Sequence, residues 1–210
     1  MNSIAVIDYG MGNLRSVAKA LAHVADGRQV RVTQDPKTII RASRVVFPGV
    51  GAMRDCMHEL GRLGLDEVVR TCARSKPFLG ICLGMQALFA FSEENEGTPG
   101  LDLLPGKVRR FPEGLREGGE RLKIPHMGWN QVHPAFPHPL WEGIPPASRF
   151  YFVHSYYVDT RPEFTAGVTR YGLDFAAACA RDNLFAVQFH PEKSQQAGLR
   201  LLANFVHWEV

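Results

Sequence analysis

The chain has 210 residues, of which 45% are hydrophobic and 21% are charged, a composition that excludes an intrinsically disordered protein. This length predicts a single domain over residues 1–210. The net charge of +3 is too small for the basic surface that nucleic-acid binding requires. No apolar run approaches the roughly 18 residues of a membrane span, and the four cysteines form no CxxC pair. We therefore expect a cytoplasmic protein that binds neither nucleic acid nor membrane.

The first half of the chain alternates apolar runs with segments of helical periodicity, which predicts βαβ units and parallel strands. The predicted strands are Ile4–Ile7, Gln29–Thr33, Arg44–Phe47 and Phe78–Ile81. The predicted helices are Asn13–Val24, Arg54–Leu60, Leu65–Ala73 and Leu83–Phe91.

The second half consists of short strand-like runs separated by turn residues, which indicates antiparallel pairing. The predicted strands are Val108–Phe111, Gln131–His133, Phe150–Val158, Ala166–Tyr171, Ala176–Ala180 and Leu184–Phe189. Glu113–Gly119 is predicted to be a surface loop, and Gln195–Trp208 to be the last helix. The expected fold class is α/β, with an open, mostly parallel, doubly wound sheet, flanking helices and an antiparallel extension.

A glycine-flanked cysteine lies at a predicted junction between a strand and a helix. Cys82 follows the strand that contains Gly80, and Gly84 comes two residues later. This pattern is typical of a nucleophile elbow, in which the turn is strained and neighbouring backbone allows no side chain. The start of the helix would favour the thiolate, and the backbone N–H of Leu83 could stabilise an oxyanion. The alternative is that Cys82 is a small buried hydrophobic residue in an ordinary turn.

A histidine and a glutamate follow the predicted strand that ends at Phe189. His190 and Glu192 are two residues apart in an extended segment, so they face the same side, and Pro191 disfavours a helix at His190. His190 could therefore transfer protons while Glu192 orients its imidazole. With Cys82 they form a candidate nucleophile, base and orienting residue.

A third candidate segment follows the strand that ends at Phe47. The glycines of the segment Pro48–Gly51 would let a backbone N–H turn into the cleft at the carboxyl ends of the strands. Gly49, Val50 and Gly51 are therefore candidates for a second oxyanion donor, although a simple turn that ends the strand explains the same residues.

These three segments resemble the class I glutamine amidotransferases, which have a Cys-His-Glu triad. The resemblance rests on GICLGMQ at residues 80–86, FHPE at 189–192 and FPGVG at 47–51. Three other stretches, at residues 6–16, 125–130 and 151–157, are similar to the glutaminase subunits of imidazole glycerol phosphate synthases. The similarity covers residues 4 to about 208.

The resemblance implies a reaction and a set of residue roles. Cys82 would attack the carboxamide of glutamine and form a thioester, while His190 transfers protons and Glu192 orients it. Leu83 and the loop Gly49–Gly51, which includes Val50, would form the oxyanion hole. The residues implied to bind the substrate L-glutamine are Gln86, Ser155 and Tyr156.

The resemblance also implies a partner, a cyclase subunit that forms a heterodimer with the chain and receives ammonia to make imidazole glycerol phosphate and an aminoimidazole carboxamide ribonucleotide in histidine biosynthesis. The implied partner-facing residues are Tyr9, Asn13, His126, Met127, Trp129 and Asn130. The alternatives are an amidotransferase subunit of anthranilate or aminodeoxychorismate synthase, which usually has histidine where Met85 stands, and a scaffold without catalytic activity.

We expect no cofactor and no metal. The glycines at positions 10 and 12 are not followed by a third at position 15, so a dinucleotide site is not indicated. The histidines do not have the spacing of a metal site.

Overall fold

The computed structural model describes residues 3–210 and contains α-helices on both sides of a large sheet. The helices are α1 (Leu14–Val24), α2 (Pro36–Arg41), α3 (Met53–Leu63), α4 (Asp66–Ala73), α5 (Leu83–Gln86) and α6 (Gln195–His207). Short 3-10 turns occupy Glu94–Glu96, Pro139–Trp141, Pro162–Phe164 and Pro191–Lys193.

The strands of the first half are β1 (Ser3–Ile7), β2 (Gln29–Thr33), β3 (Arg44–Gly49), β4 (Phe78–Cys82), β5 (Phe89–Ser92) and β6 (Thr98–Pro99). Those of the second half are β7 (Leu104–Arg110), β8 (Arg116–Glu117), β9 (Glu120–Arg121), β10 (His126–Pro134), β11 (Ser148–His154), β12 (Tyr156–Asp159), β13 (Thr165–Arg170), β14 (Asp174–Arg181) and β15 (Leu184–Val187).

The sheet has a parallel half and an antiparallel half, as the sequence predicts. Strands β2, β1, β3, β4 and β15 are adjacent in that order and all parallel. The sheet continues through β14, β12, β7, β5 and β6, where only the β5–β7 pair is parallel. The predicted fold class is therefore confirmed.

Two clusters of buried side chains lie on opposite faces of the parallel strands. One contains Ile4 and Leu79 from the strands with apolar residues of α1 and α6. The other contains Val45 and Phe78 from the strands with apolar residues of α2, α3 and α4. Strands β3 and β4 are buried throughout because both of their faces are covered by helices, which explains their continuous apolar sequence.

Helix α2 is not predicted from the apolar pattern, although a local signal for it exists. Asp35 caps the helix by accepting hydrogen bonds from the backbone N–H groups of Lys37 and Thr38, and Pro36 occupies its first turn. An aspartate followed by proline is a common start of a helix. The helix has only six residues, too few for a clear periodicity.

The prediction of a helix over Leu83–Phe91 is wrong in its second half. The helix ends at Gln86, and Phe89–Ser92 form β5 instead. Strand β5 pairs with β7, where Phe89 lies opposite Leu104, and with β6. These pairings involve residues up to sixteen positions further along the chain, so tertiary pairing overrides the local helical pattern.

The prediction of one strand over Phe150–Val158 is also wrong. The chain forms β11 up to His154, breaks at Ser155, and continues as β12. Strand β11 pairs with β10, whereas β12 pairs with β7 and β14, so the break lets the chain change partners. The predicted surface loop Glu113–Gly119 contains β8, which forms a small exposed hairpin with β9.

The other predicted elements agree with the structure apart from their ends. Strands β7 and β10 begin four or more residues before the predicted starts at Val108 and Gln131. No helix within residues 3–210 combines the length and the apolar character needed to cross a membrane.

Candidate active site

Cys82 is the last residue of β4 and directly precedes α5. Its backbone angles are φ 55° and ψ −112°, a conformation that side chains rarely adopt, and only 7% of the residue is exposed. The following residue, Leu83, provides the first N–H of the helix, which has no carbonyl partner within the helix. The structure thus has the strained turn that the glycine-flanked cysteine predicts.

Two glycines allow the backbone to pack closely around this turn. A Cβ on Gly84 would overlap the carbonyl oxygen of Phe47 and lie 2.9 Å from its carbonyl carbon. A Cβ on Gly49 would lie 2.9 Å from the backbone nitrogen of Gly84 and would clash with the hydroxyl of Tyr9. Gly49 is paired with Cys82 in the β3–β4 register, so the turn and the loop after β3 are in direct contact.

The carboxyl end of β15 brings His190 and Glu192 to the same edge of the sheet. His190 Nδ1 is 2.9 Å from Glu192 Oε1, and both side chains are almost completely buried. Asn13, at the start of α1, donates its side-chain N–H to the same carboxylate oxygen over 3.1 Å. Because the Glu192 carboxylate accepts a hydrogen bond from Nδ1–H, Nε2 is the ring nitrogen of His190 that is left for proton transfer. Nε2 is buried and has no hydrogen-bond partner among the described residues.

The charge environment favours a protonated His190. Burial alone would lower the pKa of His190, but the neighbouring Cys82 and Glu192 side chains raise the pKa to about 10. With its pKa raised in this way, the His190 side chain can remain an imidazolium, and an imidazolium beside a cysteine can stabilise a thiolate.

A cavity of about 330 Å³ opens next to Cys82 and His190. The loop after β3 contributes Val50 and Gly51 to its wall, and the segment from Val153 to Tyr156 lies along it. The remaining lining residues are Leu83, Gln86, Glu94 and Pro125. The structure therefore brings the candidate nucleophile, base, oxyanion loop and substrate-contact residues Gln86, Ser155 and Tyr156 to one cavity.

Two polar residues of this region are missing from the expectations drawn from sequence. Glu94 lines the cavity and accepts a hydrogen bond from the backbone N–H of Met53 over 2.7 Å. Gln188 is completely buried, and its Nε2 is 3.7 Å from the sulfur of Cys82. A polar residue inside the apolar run Phe185–Phe189 is a signal for Gln188, whereas Glu94 lies in the 3-10 turn after β5, a strand that the sequence does not predict.

Two of the expected partner-facing residues have buried side chains. Tyr9 is fully buried under the loop after β3, where it contacts Phe47, so its side chain is not available at a surface. His126 is 3% exposed, stacks on Phe152 and Tyr171, and has its Nδ1 3.0 Å from His154 Nε2. The sequence pattern does not predict whether a tyrosine or histidine near the end of a strand is buried or exposed.

The other expected partner-facing residues have different environments. Met127 is 62% exposed and Trp129 is 39% exposed, so β10 presents apolar side chains at the surface. Asn130 donates to the carbonyl of Arg170, and Asn13 is engaged by Glu192.

The remaining cysteines are separate from the cavity. Cys56, Cys72 and Cys179 are fully buried and unpaired, and burial raises the pKa of each thiol, to about 12 for Cys56. Within residues 3–210, no group of three or more His, Cys, Asp or Glu side chains is arranged to hold a metal ion.

The fold and the site define a class of enzyme, and comparison with known proteins gives the family. A strained cysteine on a strand-to-helix turn, a buried His-Glu pair and an α/β sheet together match the arrangement that cysteine-dependent acyl transfer uses. The family model described as glutamine amidotransferase class-I matches residues 5–208. The chain therefore belongs to the class-I glutamine amidotransferases.

Over its whole length the chain is similar to proteins named imidazole glycerol phosphate synthase subunit HisH. It is 63% identical to that of Methylococcus capsulatus, with 100% of this chain and 98% of the relative covered. It is 60% identical to that of Aromatoleum aromaticum, with 99% of each covered.

Solved structures share the fold at lower sequence identity. A structure described as a glutamine amidotransferase matches with a TM-score of 0.72 and 18% identity, covering 98% of this chain and 99% of the other. A glutamine amidotransferase from Thermotoga maritima matches with a TM-score of 0.59 and 18% identity, covering 90% of this chain and 76% of the other.

Proposed function

We propose that the chain is the glutamine-hydrolysing subunit of an imidazole glycerol phosphate synthase, acting in the cytoplasm in histidine biosynthesis. The observation that carries the proposal is the buried His190–Glu192 pair: His190 lines the same cavity as the strained Cys82, and its Nε2 has no hydrogen-bond partner among the described residues. The full-length similarity to proteins of that name supports the choice of synthase.

In the proposed reaction, the sulfur of Cys82 attacks the carboxamide carbon of glutamine after its proton has moved to His190. The tetrahedral intermediate collapses to a thioester as His190 returns the proton to the departing nitrogen, which leaves as ammonia. His190 then removes a proton from water, which attacks the thioester and releases glutamate and the free thiol. Glu192 keeps the imidazole oriented and stabilises its charge in both halves of the reaction.

The negative charge of the two tetrahedral intermediates needs N–H donors beside the sulfur. Leu83 offers the first N–H of α5, Gly49 is the register partner of Cys82, and Val50 and Gly51 line the same cavity as Leu83. The pairing of Gly49 with Cys82 supports the role of this loop, because it holds the loop next to the nucleophile.

The polar lining of the cavity supports recognition of the amino-acid end of glutamine. Gln86, Ser155 and Tyr156 offer hydrogen-bonding groups, and the Glu94 carboxylate is a natural partner for the substrate ammonium. We expect Glu94→Gln to raise KM for glutamine about tenfold with a smaller change in kcat, because one charge-assisted hydrogen bond is weakened. An unchanged KM would remove Glu94 from the substrate site.

The exposed apolar face of β10 supports binding of the cyclase subunit. Met127 and Trp129 present large apolar side chains to solvent on a strand whose neighbour, β11, leads to the cavity wall. Association would protect ammonia from bulk water, where at neutral pH it is mostly ammonium and not nucleophilic. The heterodimer would thereby couple glutamine hydrolysis to synthesis.

The test compares glutaminase turnover of the chain alone, of the chain with the purified cyclase partner, and of that mixture after the partner's ribonucleotide ligand is added. The proposal predicts strong stimulation in the full mixture. High turnover by the chain alone, or stimulation by a chorismate-utilising partner, would contradict it.

A substitution separates the nucleophile from the partner. In the complex, Cys82→Ala should abolish synthesis from glutamine and leave synthesis from an added ammonium salt largely intact. Loss of both activities would mean that Cys82 is a structural residue, and Cys179→Ala serves as a control for loss of a buried thiol outside the cavity.

A further inference from the structure

Two side-chain amides connect Cys82 to the backbone of the cavity wall. Gln86 donates through Nε2 to the carbonyl of Tyr156 over 3.0 Å and to Gln188 Oε1 over 2.9 Å. Gln188 Nε2 in turn lies 3.7 Å from the sulfur of Cys82. Gln188 is fully buried and Gln86 is 5% exposed, so solvent has little access to these contacts.

The orientation of both amides follows from the one group in this series that can only accept. The carbonyl of Tyr156 has no proton, so Gln86 must turn its NH₂ toward it. The same NH₂ faces Gln188, which must therefore turn its oxygen toward Gln86 and its NH₂ toward Cys82. His154 Nδ1 lies 2.8 Å from the same carbonyl and donates to it, which holds the acceptor in place.

We propose that Gln188 is a positioning residue for Cys82: its amide, fixed by Gln86, donates a hydrogen bond to the sulfur and stabilises the thiolate. A neutral thiol is a weak acceptor, and 3.7 Å is a long contact. When the S–H bond breaks and its proton moves to His190 Nε2, the electron pair stays on sulfur and the hydrogen bond becomes charge-assisted. No bond of Gln188 is formed or broken.

Burial explains why an amide at this position has a specific effect. Gln188 lies in an otherwise apolar run, between Val187 and Phe189, where an unpaired amide would be costly. Its oxygen is already used by Gln86, so within residues 3–210 the acceptor that its NH₂ contacts is the sulfur.

Apart from Glu192, which pairs with His190, four titratable groups lie in the cavity or beside the turn that carries Cys82. His190 and His154 line the cavity with Glu94, and the hydroxyl of Tyr9 packs against Gly49, the register partner of Cys82. Substitutions at Gln188 leave all four in place, so a change in thiol reactivity reports on the amide itself.

That Gln188 aids catalysis rests on the proposed function, but its effect on the Cys82 thiolate can be tested without glutamine. The measurement is the rate at which iodoacetamide alkylates Cys82, followed by peptide mass spectrometry from pH 5 to pH 10. The other three cysteines are fully buried and their thiol pKa values are raised, so they react slowly and serve as an internal reference.

Gln188→Met, which removes the donor, should slow alkylation at pH 7 by about threefold to tenfold and move the pH midpoint upward. Gln188→Glu should slow it further, because a carboxylate would face the thiolate. Gln86→Met keeps β15 unchanged but releases the Gln188 amide, so it should give a smaller effect in the same direction. Asn204→Leu, which removes a different partly buried amide, should leave the rate unchanged.

The proposal would be overturned if both Gln188→Met and Gln188→Glu showed alkylation rates within twofold of the parent and an unchanged pH midpoint. Equal effects of the two variants would also overturn it, since a purely structural role does not depend on charge. If Gln188 variants do not fold, the Gln86→Met rate decides. If the variants showed the expected order of alkylation rates but the parent chain had no glutaminase activity with any partner, the proposed function would be contradicted and this inference would stand.

Discussion

The close contact between Gly84 and β3 makes a strong prediction about a single methyl group. In Gly84→Ala the new Cβ would overlap the carbonyl oxygen of Phe47 and lie 2.9 Å from its carbonyl carbon. Both atoms at the contact belong to the backbone of buried elements, so relief requires a shift of about 1 Å of α5 against β3. The backbone angle at Gly84 is not left-handed, so the clash is the main cost.

The expected losses of stability and turnover follow from the shift of α5 against β3. Overpacking of this kind costs about 1–3 kcal/mol of unfolding free energy, and a shift of about 1 Å between nucleophile and oxyanion donors costs about a hundredfold in turnover. We expect both losses in Gly84→Ala, measured by urea unfolding and by glutaminase kcat in the complex. Unchanged stability and turnover in this variant would mean that the turn accommodates the extra methyl group without a backbone shift.

Gly61 provides the matched control. It lies in α3, is exposed, and an added Cβ meets no atom within 4 Å. Gly61→Ala should therefore stabilise the protein by about 0.5–1 kcal/mol through helix propensity, with unchanged turnover.

Two further predictions concern charge and folding. Burial lowers the pKa of His190, but Cys82 and Glu192 raise it overall from 6.5 to about 10, so the resulting stabilisation is complete below pH 6.5 and is lost as the pH rises through 10. The unfolding free energy of the parent should therefore exceed that of Glu192→Gln by more at pH 7 than at pH 10, and a constant difference would contradict this. The Arg44 guanidinium donates hydrogen bonds to the carbonyls of Phe205 and Trp208 at the end of α6. Arg44→Met should therefore lower the free energy of unfolding in urea by about 2–3 kcal/mol and leave kcat unchanged. A loss below about 0.5 kcal/mol would contradict this prediction.

The parallel half of the sheet could be predicted from sequence because its strands are buried on both faces. The apolar runs that end at Phe47 and Ile81 are continuous for that reason, and the strands they form end within two residues of the predicted positions. The candidate nucleophile, base and orienting residue could also be predicted, because local spacing carries them: Cys82 between glycines, and His190 two residues before Glu192.

The rest of the site depends on contacts that no local pattern contains. Glu94 lines the cavity just after β5, a strand that forms because Phe89 pairs with Leu104 on β7 although the local periodicity is helical. The burial of Tyr9 and His126 is likewise set by tertiary packing against aromatic neighbours, and both residue types are common at surfaces as well as inside proteins.

In the proposed reaction, Cys82 carries the acyl group of glutamine as a thioester. The most direct measurement mixes glutamine with the complex of chain and cyclase partner, with the ribonucleotide ligand bound, quenches it in acid within the first turnover, and maps the modified peptide by mass spectrometry. We expect one added glutamyl group on the peptide that contains Cys82, and none in Cys82→Ala. A glutamyl group on another residue, or glutamine hydrolysis at the parent rate in Cys82→Ala, would contradict it.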